Sequence, residues 1–310
     1  MTMSADTGNQ AIRGVLPVVH MPYLEDLSID GDTLRKEVDY VFDKGADGLC
    51  LALVSDLLRL TADERLQLPL QLVEYAGGRG PVTIGVGAES TLQAAVFARA
   101  AEEAGAAAVM AIPPLSQALA EDQLRAYFTG ILEAVSLPVF IQDASSYVGT
   151  AMSLEFQADM FREFGSRILY KPEATPLGPV ISGLRELTGG EAAIFEGSGG
   201  VLLIDSYRRG VTGTIPGVEM LEALVALWDA LERGDDRRAY EVYQPICAMC
   251  TLQLQGGLDG FIVTERYLLH RQGLFPNEVH RGPLGYQLDQ ATRAEIDRIY
   301  ALLQETLARA

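Results

Sequence analysis

The sequence predicts a closed (β/α)8 TIM barrel lengthened at its C-terminal end by a helical extension, and three observations predict it. Eight short apolar runs recur about 20 to 35 residues apart between residues 14 and 215, each is followed by a stretch of helical periodicity, and no low-complexity linker interrupts them. The runs are rich in Val, Ile, Leu and Ala and do not alternate with polar residues, as expected of parallel strands buried on both faces. Eight copies of one βα unit fit a closed barrel better than an open doubly wound sheet. A chain of 310 residues is long enough for two domains, but α/β barrels commonly use about 250 residues as one.

In order, strands are expected at 14–20 (GVLPVVH), 48–54 (GLCLALV), 82–87 (VTIGVG), 107–113 (AAVMAIP), 138–143 (PVFIQD), 167–171 (RILYK), 192–197 (AAIFEG) and 211–215 (VTGTI). The helices between and after them are expected at 31–45, 61–77, 90–105, 120–135, 153–164, 176–189, 199–209 and 217–232. Thr61 and Glu64 form a capping box and Ser153 precedes the fifth helix, while Gly45, Gly77 and Gly105 stop others. Residues 235–272 and 290–308 add three helical segments outside the repeat, the last with Ile296, Ile299, Leu302 and Leu303 on one stripe. The expected division is a barrel over 1–232 and a C-terminal helical extension of the same domain over 233–310.

Composition narrows the function. With 24 Lys+Arg against 42 Asp+Glu, the net charge is −18 and the pI about 4.5. Such a chain repels nucleic acid and anionic membrane surfaces, whose affinity for proteins rests on cationic side chains. No run of about 18 apolar residues is present to span a bilayer. The start MTMSADTGNQ lacks the basic and apolar parts of a signal peptide, and Cys50, Cys247 and Cys250 cannot build a secreted disulfide framework, so a cytoplasmic location is expected.

Only Lys36, Lys44 and Lys171 among the basic residues are lysines. A lysine kept where arginine is the default suits a task that needs an amine able to lose its proton. Lys36 and Lys44 lie on a charged helical stretch and read as solvated helix charge. Lys171 ends the sixth strand, at the carboxyl rim where barrel active sites form, with apolar residues before it and Glu173 just beyond. Desolvation there favours the neutral, nucleophilic amine. From position alone, a rim lysine ion-paired to Glu173 or Glu196 remains the alternative.

The segments GVLPVV, ADGLCLALVSDLLRLTADER, VGAESTLQAAVFARAAEEAGAAAVMAIPP, LPVFIQDASSYVGT and LYKPEATP resemble, in that order, the dihydrodipicolinate synthase and N-acetylneuraminate lyase superfamily of class I aldolases. The resemblance covers the whole barrel and the trailing helices. It implies a barrel, usually a homotetramer, in which Lys171 forms a Schiff base with a small 2-oxo acid.

Four departures are informative. The family loop Gly-Thr-Thr-Gly-Glu after the second strand is here Ala52-Leu53-Val54-Ser55-Asp56, so the carboxylate-binding threonines are Leu53 and Val54. The family's Ile-Tyr-Asn after the fifth strand is Ile141-Gln142-Asp143, without the proton-relaying tyrosine; Tyr147 replaces an arginine, and Pro114-Leu115 replaces an aromatic pair. Synthesis of the lysine precursor needs those missing groups. The pattern resembles instead the L-2-keto-3-deoxyarabonate dehydratase subgroup, through Gln142-Asp143-Ala144, the spacing of Lys171, Glu173 and Gly178, Ser55-Asp56, and Glu196-Gly197.

The resemblance assigns Lys171 and Glu173 to catalysis. Retro-aldol cleavage needs a base at the carbon 4 hydroxyl, a task Gln142 cannot perform, whereas dehydration needs a base at carbon 3 and an acid at the departing hydroxyl, which Glu173 can supply in turn. A pyruvate-releasing aldolase and a non-catalytic sugar-acid binding paralogue stay open as alternatives. Substrate-binding candidates are Ser55 with nearby amides for the carboxylate, Gln142 and Ser198 for distal hydroxyls, and Asp56, Gly197 and His20 at neighbouring strand ends.

Weaker signals have plainer readings. Cys247-x-x-Cys250 has metal-ligand spacing but lies in an apolar helical run without further ligands, which reads as core packing. EGSGG at 196–200 lacks a nearby cation for phosphate and reads as close packing of the seventh loop. No metal or nucleotide cofactor is implied.

Overall fold

The computed structural model describes residues 12–309; residues 1–11 of the expected barrel span lie outside the described residues. Eight parallel strands form the sheet: β1 (Gly14–Val15), β2 (Leu49–Leu51), β3 (Val82–Gly85), β4 (Ala108–Ala111), β5 (Val139–Asp143), β6 (Ile168–Pro172), β7 (Ala193–Glu196) and β8 (Gly213–Thr214). Their order is β1-β8-β7-β6-β5-β4-β3-β2. A parallel bridge between Val18 and Cys50 closes the ring between the two ends, with the Cys50 N–H donating to Pro17 O at 2.8 Å and the Val19 N–H to Cys50 O at 3.0 Å. The architecture is the (β/α)8 barrel expected.

The helices follow the expected positions: α1 (Gly31–Asp43), α2 (Ala62–Ala76), α3 (Thr91–Glu103), α4 (Glu121–Ala134), α5 (Leu154–Phe164), α6 (Leu177–Leu187), α7 (Leu203–Arg208) and α8 (Leu221–Glu232). α9 (Asp236–Leu254), α10 (Gly257–Arg271) and α11 (Gln290–Ala308) form the extension. Local chemistry sets these ends. The Glu64 N–H donates to Thr61 Oγ1 while Thr61 N–H donates to Glu64 Oε2, and Ser153 Oγ accepts from Phe156 N–H. Gly77 closes α2 at φ +57°, a conformation that costs glycine little.

Most elements are shorter than the sequence suggests, β1 and α7 by the most residues. β1 was expected over 14–20, yet its regular ladder ends at Val15: Pro216 has no N–H to give back towards β1, Pro17 has none to give towards β2, and pairing resumes as isolated bridges from Val18 to Gly217 and to Cys50. α7 starts at Leu203, since the preceding glycines wind a 3-10 turn at Ser198–Gly200.

Every strand is buried on both faces. Leu16, Val18, Cys50, Met110, Phe140, Leu169 and Phe195 fill the inside of the barrel, with Phe140 and Phe195 edge to face at 5.1 Å. Ile141, Ile168, Tyr170 and Ile194 face the helices in the larger core. The two-residue strand period then carries function: Leu169 points inward, Tyr170 outward, and Lys171 inward again at the carboxyl end. Gln142 is brought beside it by the β5–β6 register.

Candidate active site

Lys171 is 4% exposed and its Nζ lies 3.1 Å from Glu173 Oε1. Glu173 is fixed first through its backbone, its N–H donating to Asp143 O at 2.7 Å and its carbonyl accepting from Ser146 N–H at 3.0 Å. Its carboxylate is then held from two further sides. Gln142 Nε2 donates to Oε2 at 2.5 Å, and the Ser198 N–H donates to Oε1 at 3.3 Å. Glycine is required at 197 for this approach, because a Cβ there would stand 2.6 Å from Glu173 Oε1.

These residues border a cavity at the carboxyl ends of the strands, with about 420 Å³ of empty space that includes its opening to solvent. Among the described residues Lys171 is the one cation on its wall, which also carries the carboxylates of Glu173 and Glu265; Leu53, Val54, Ile215 and Phe261 supply much of the rest. Tyr147 also enters the cavity. Its ring packs edge to face on Phe261 at 5.6 Å, and burial raises the pKa of its hydroxyl. Behind the seventh loop, Glu196 accepts from Thr214 Oγ1 at 2.7 Å, and burial pushes its carboxyl up to about 8.

A model of the dihydrodipicolinate synthetase family matches residues 11–301. The chain belongs to this family. A relative from Azospirillum brasilense, described as L-2-keto-3-deoxyarabonate dehydratase, is 32% identical over 305 residues, covering 96% of each chain. A 4-hydroxy-tetrahydrodipicolinate synthase from Chloroherpeton thalassium is 24% identical, over 89% of this chain and 90% of its own. Among solved structures, dihydrodipicolinate synthase from Rhodopseudomonas palustris superposes with a TM-score of 0.86 at 24% identity, covering 95% of this chain and 98% of that one. Family members are lyases acting on small 2-oxo acids and are generally oligomeric.

Within this family member, five of the sequence candidates meet at one place: Lys171, Glu173, Gln142, Gly197 and Ser198. Gln142 spends its amide on Glu173, which makes it a holder of the carboxylate. Ser55 and Asp56 lie elsewhere. The Ser55 hydroxyl donates to Val19 O at 2.5 Å and accepts from Ala52 N–H at 3.1 Å, so both its bonds are internal. Asp56, at φ +57°, turns away and pairs with Arg266 at 3.1 Å and Arg59 at 3.3 Å. That turn leaves Leu53 and Val54 on the cavity wall.

His20 joins a second buried cluster. Its Nδ1 lies 3.1 Å from Glu37 Oε1 and its Nε2 2.7 Å from Glu265 Oε2. Burial alone would lower its pKa, but the two carboxylates outweigh it and push the imidazole up to about 10. Sequence reading missed Leu258, Phe261 and Glu265, which α10 lays over the barrel mouth. Their spacing of three and four residues on one helix was the available signal, with Glu265-Arg266 interrupting an apolar run. Among the described residues no helix is long and apolar enough to cross a membrane.

Proposed function

We propose that this lyase dehydrates a 2-keto-3-deoxy sugar acid through a Schiff base on Lys171. The buried Lys171–Glu173 pair, reached from a cavity with no other cation on its wall among the described residues, is the observation that carries the reading; the Azospirillum relative supports the substrate class. Glu173 takes a proton from the Lys171 ammonium, the freed amine adds to the ketone, and the same proton returned to the carbinolamine hydroxyl lets it leave as water, giving an iminium and restoring the carboxylate. Glu173 takes a carbon 3 proton to form an enamine, then returns a proton to the carbon 4 hydroxyl as it departs as water. Tautomerisation and hydrolysis of the iminium release a semialdehyde such as 2-oxoglutarate semialdehyde, so one water is lost overall.

The substrate carboxylate is assigned to the backbone N–H groups of Leu53 and Val54. They open a 3-10 turn at Leu53–Ser55, where first-turn donors have no partner inside the turn. Ser55 supports that turn from beneath. A homotetramer acting without a cofactor in the cytoplasm is part of the same proposal, checked for assembly by sedimentation.

One observation favours a second reading, pyruvate-releasing aldol cleavage: Tyr147 brings a phenol into the cavity that β5 does not provide. Products separate the two, since dehydration keeps all carbons in one molecule and cleavage releases pyruvate. For the shared Schiff base, borohydride with pyruvate should add the mass of a reduced adduct. Lys171→Ala should abolish that adduct and lower turnover on the order of 10⁴-fold or more. An adduct that survives this substitution would overturn the assignment.

A further inference from the structure

Two strands round the barrel from Lys171, Glu265 reaches the cavity from α10, and behind it lie Glu219 and Gln253. Glu265 Oε2 is taken by His20, leaving Oε1 towards Gly217. Glu219 Oε1 accepts from Gln253 Nε2 at 2.9 Å, while Glu219 Oε2 and Gln253 Oε1 are buried without any partner. Gly217 lets these oxygens reach the cavity wall: a Cβ on it would lie 2.2 Å from Glu219 Oε2 and 2.7 Å from Glu265 Oε1. Gly199, also on the wall, stands before Gln253, where a Cβ would be 3.7 Å from Oε1.

Unpartnered buried acceptors are costly, and a ligand that supplies donors removes the cost. We propose that Glu265, with Glu219 and Gln253 behind it, forms a second subsite that binds the hydroxyl-bearing end of the substrate and selects it over apolar or anionic ends. The proposal rests on the sugar-acid reading above and names the side chains that read the sugar. Acceptors grouped on one stretch of the wall, away from Lys171, suit hydroxyl groups; a second carboxylate would meet the charge of Glu265. A metal ion is the poorer occupant although His20, Glu219 and Glu265 bring ligand atoms within 4.8 Å of one another. Both ring nitrogens of His20 already face carboxylates, so it offers no free lone pair.

The test compares two acids of equal length, 2-oxopentanoate and 4,5-dihydroxy-2-oxopentanoate, by the concentration at which each halves borohydride trapping of pyruvate in a brief pulse. The wild-type protein should prefer the dihydroxy acid, and Glu265→Leu should cut that preference about 10- to 100-fold, the size expected for hydrogen bonds to a charged group. Gly217→Ala, which covers the same two oxygens without removing a charge, should cut it in the same direction and serves if Glu265→Leu fails to fold. A preference that survives in a folded variant overturns the subsite. Absence of preference in the wild-type protein overturns the sugar-acid reading instead. A wild-type preference abolished by dialysis against EDTA overturns the hydroxyl assignment in favour of a metal ion.

Discussion

Two buried ionic clusters stand at the same end of the barrel, and they are built differently. Around Lys171, the ammonium and Glu173 border open volume, and the carboxylate is positioned by an amide and a peptide N–H. Around His20, the imidazolium is closed between Glu37 and Glu265, and only one edge of Glu265 meets the cavity. An ion pair beside open volume can exchange partners when a ligand enters. One sealed on both sides acts as scaffold, and breaking it leaves a buried charge without compensation.

The comparison breaks first at Glu173. Glu173→Gln keeps the side chain's size and a contact with Lys171 but removes the base, so kcat on the sugar acid should fall about 10²- to 10⁴-fold. Borohydride trapping of pyruvate should still mark Lys171. A variant with wild-type kcat would move the acid–base role to another group, Tyr147 being the nearest alternative on the cavity wall.

The scaffold cluster should answer in stability. His20→Leu strands Glu37 and Glu265 in the core, and unfolding by denaturant should show a loss of about 3–5 kcal/mol. Gly197→Ala reports on positioning alone: its Cβ would displace the Glu173 carboxylate. A shift of about 1 Å in such a group can cost about 10²-fold in rate. Steady-state kinetics should therefore show a kcat loss approaching that size with KM changing less.

How legible these clusters were differs for physical reasons. Lys171, Glu173 and Gln142 follow from strand period and register, which a run of apolar residues already encodes. Gly197 and Ser198 follow from the loop that must pass Glu173. Glu265 was hidden because α10 comes from outside the βα repeat, and its approach to the mouth depends on long-range packing. Ser55 and Asp56 were misplaced by one turn: the left-handed Asp56 backbone rotates the loop, so the apolar pair before them meets the cavity and the polar pair binds the protein itself. The barrel itself needed only periodicity. The early end of β1 needed knowledge of where Pro17 and Pro216 face in the ladder.

Glu196, the silent carboxyl behind the active pair, answers in the pH dependence of stability. Burial pushes it from 4.5 up to about 8, so the folded protein keeps a proton there that the unfolded chain releases above about pH 4.5. A group with a raised folded pKa contributes stability that is present below its unfolded pKa and lost as pH climbs through the folded value. The wild-type protein should thus lose stability between about pH 4.5 and 8, by at most about 1.4 kcal/mol per pH unit from this one group. Glu196→Gln cannot ionise and should remove that part of the slope while keeping an acceptor for Thr214. Denaturant unfolding of both proteins across this range isolates the difference, because His20 and Glu219 remain in each. Equal slopes would mean that Glu196 is ionised in the folded protein at neutral pH and stands beside Lys171 as a second charge; a flatter slope in Glu196→Gln leaves Glu173 as the one carboxylate of the reacting pair.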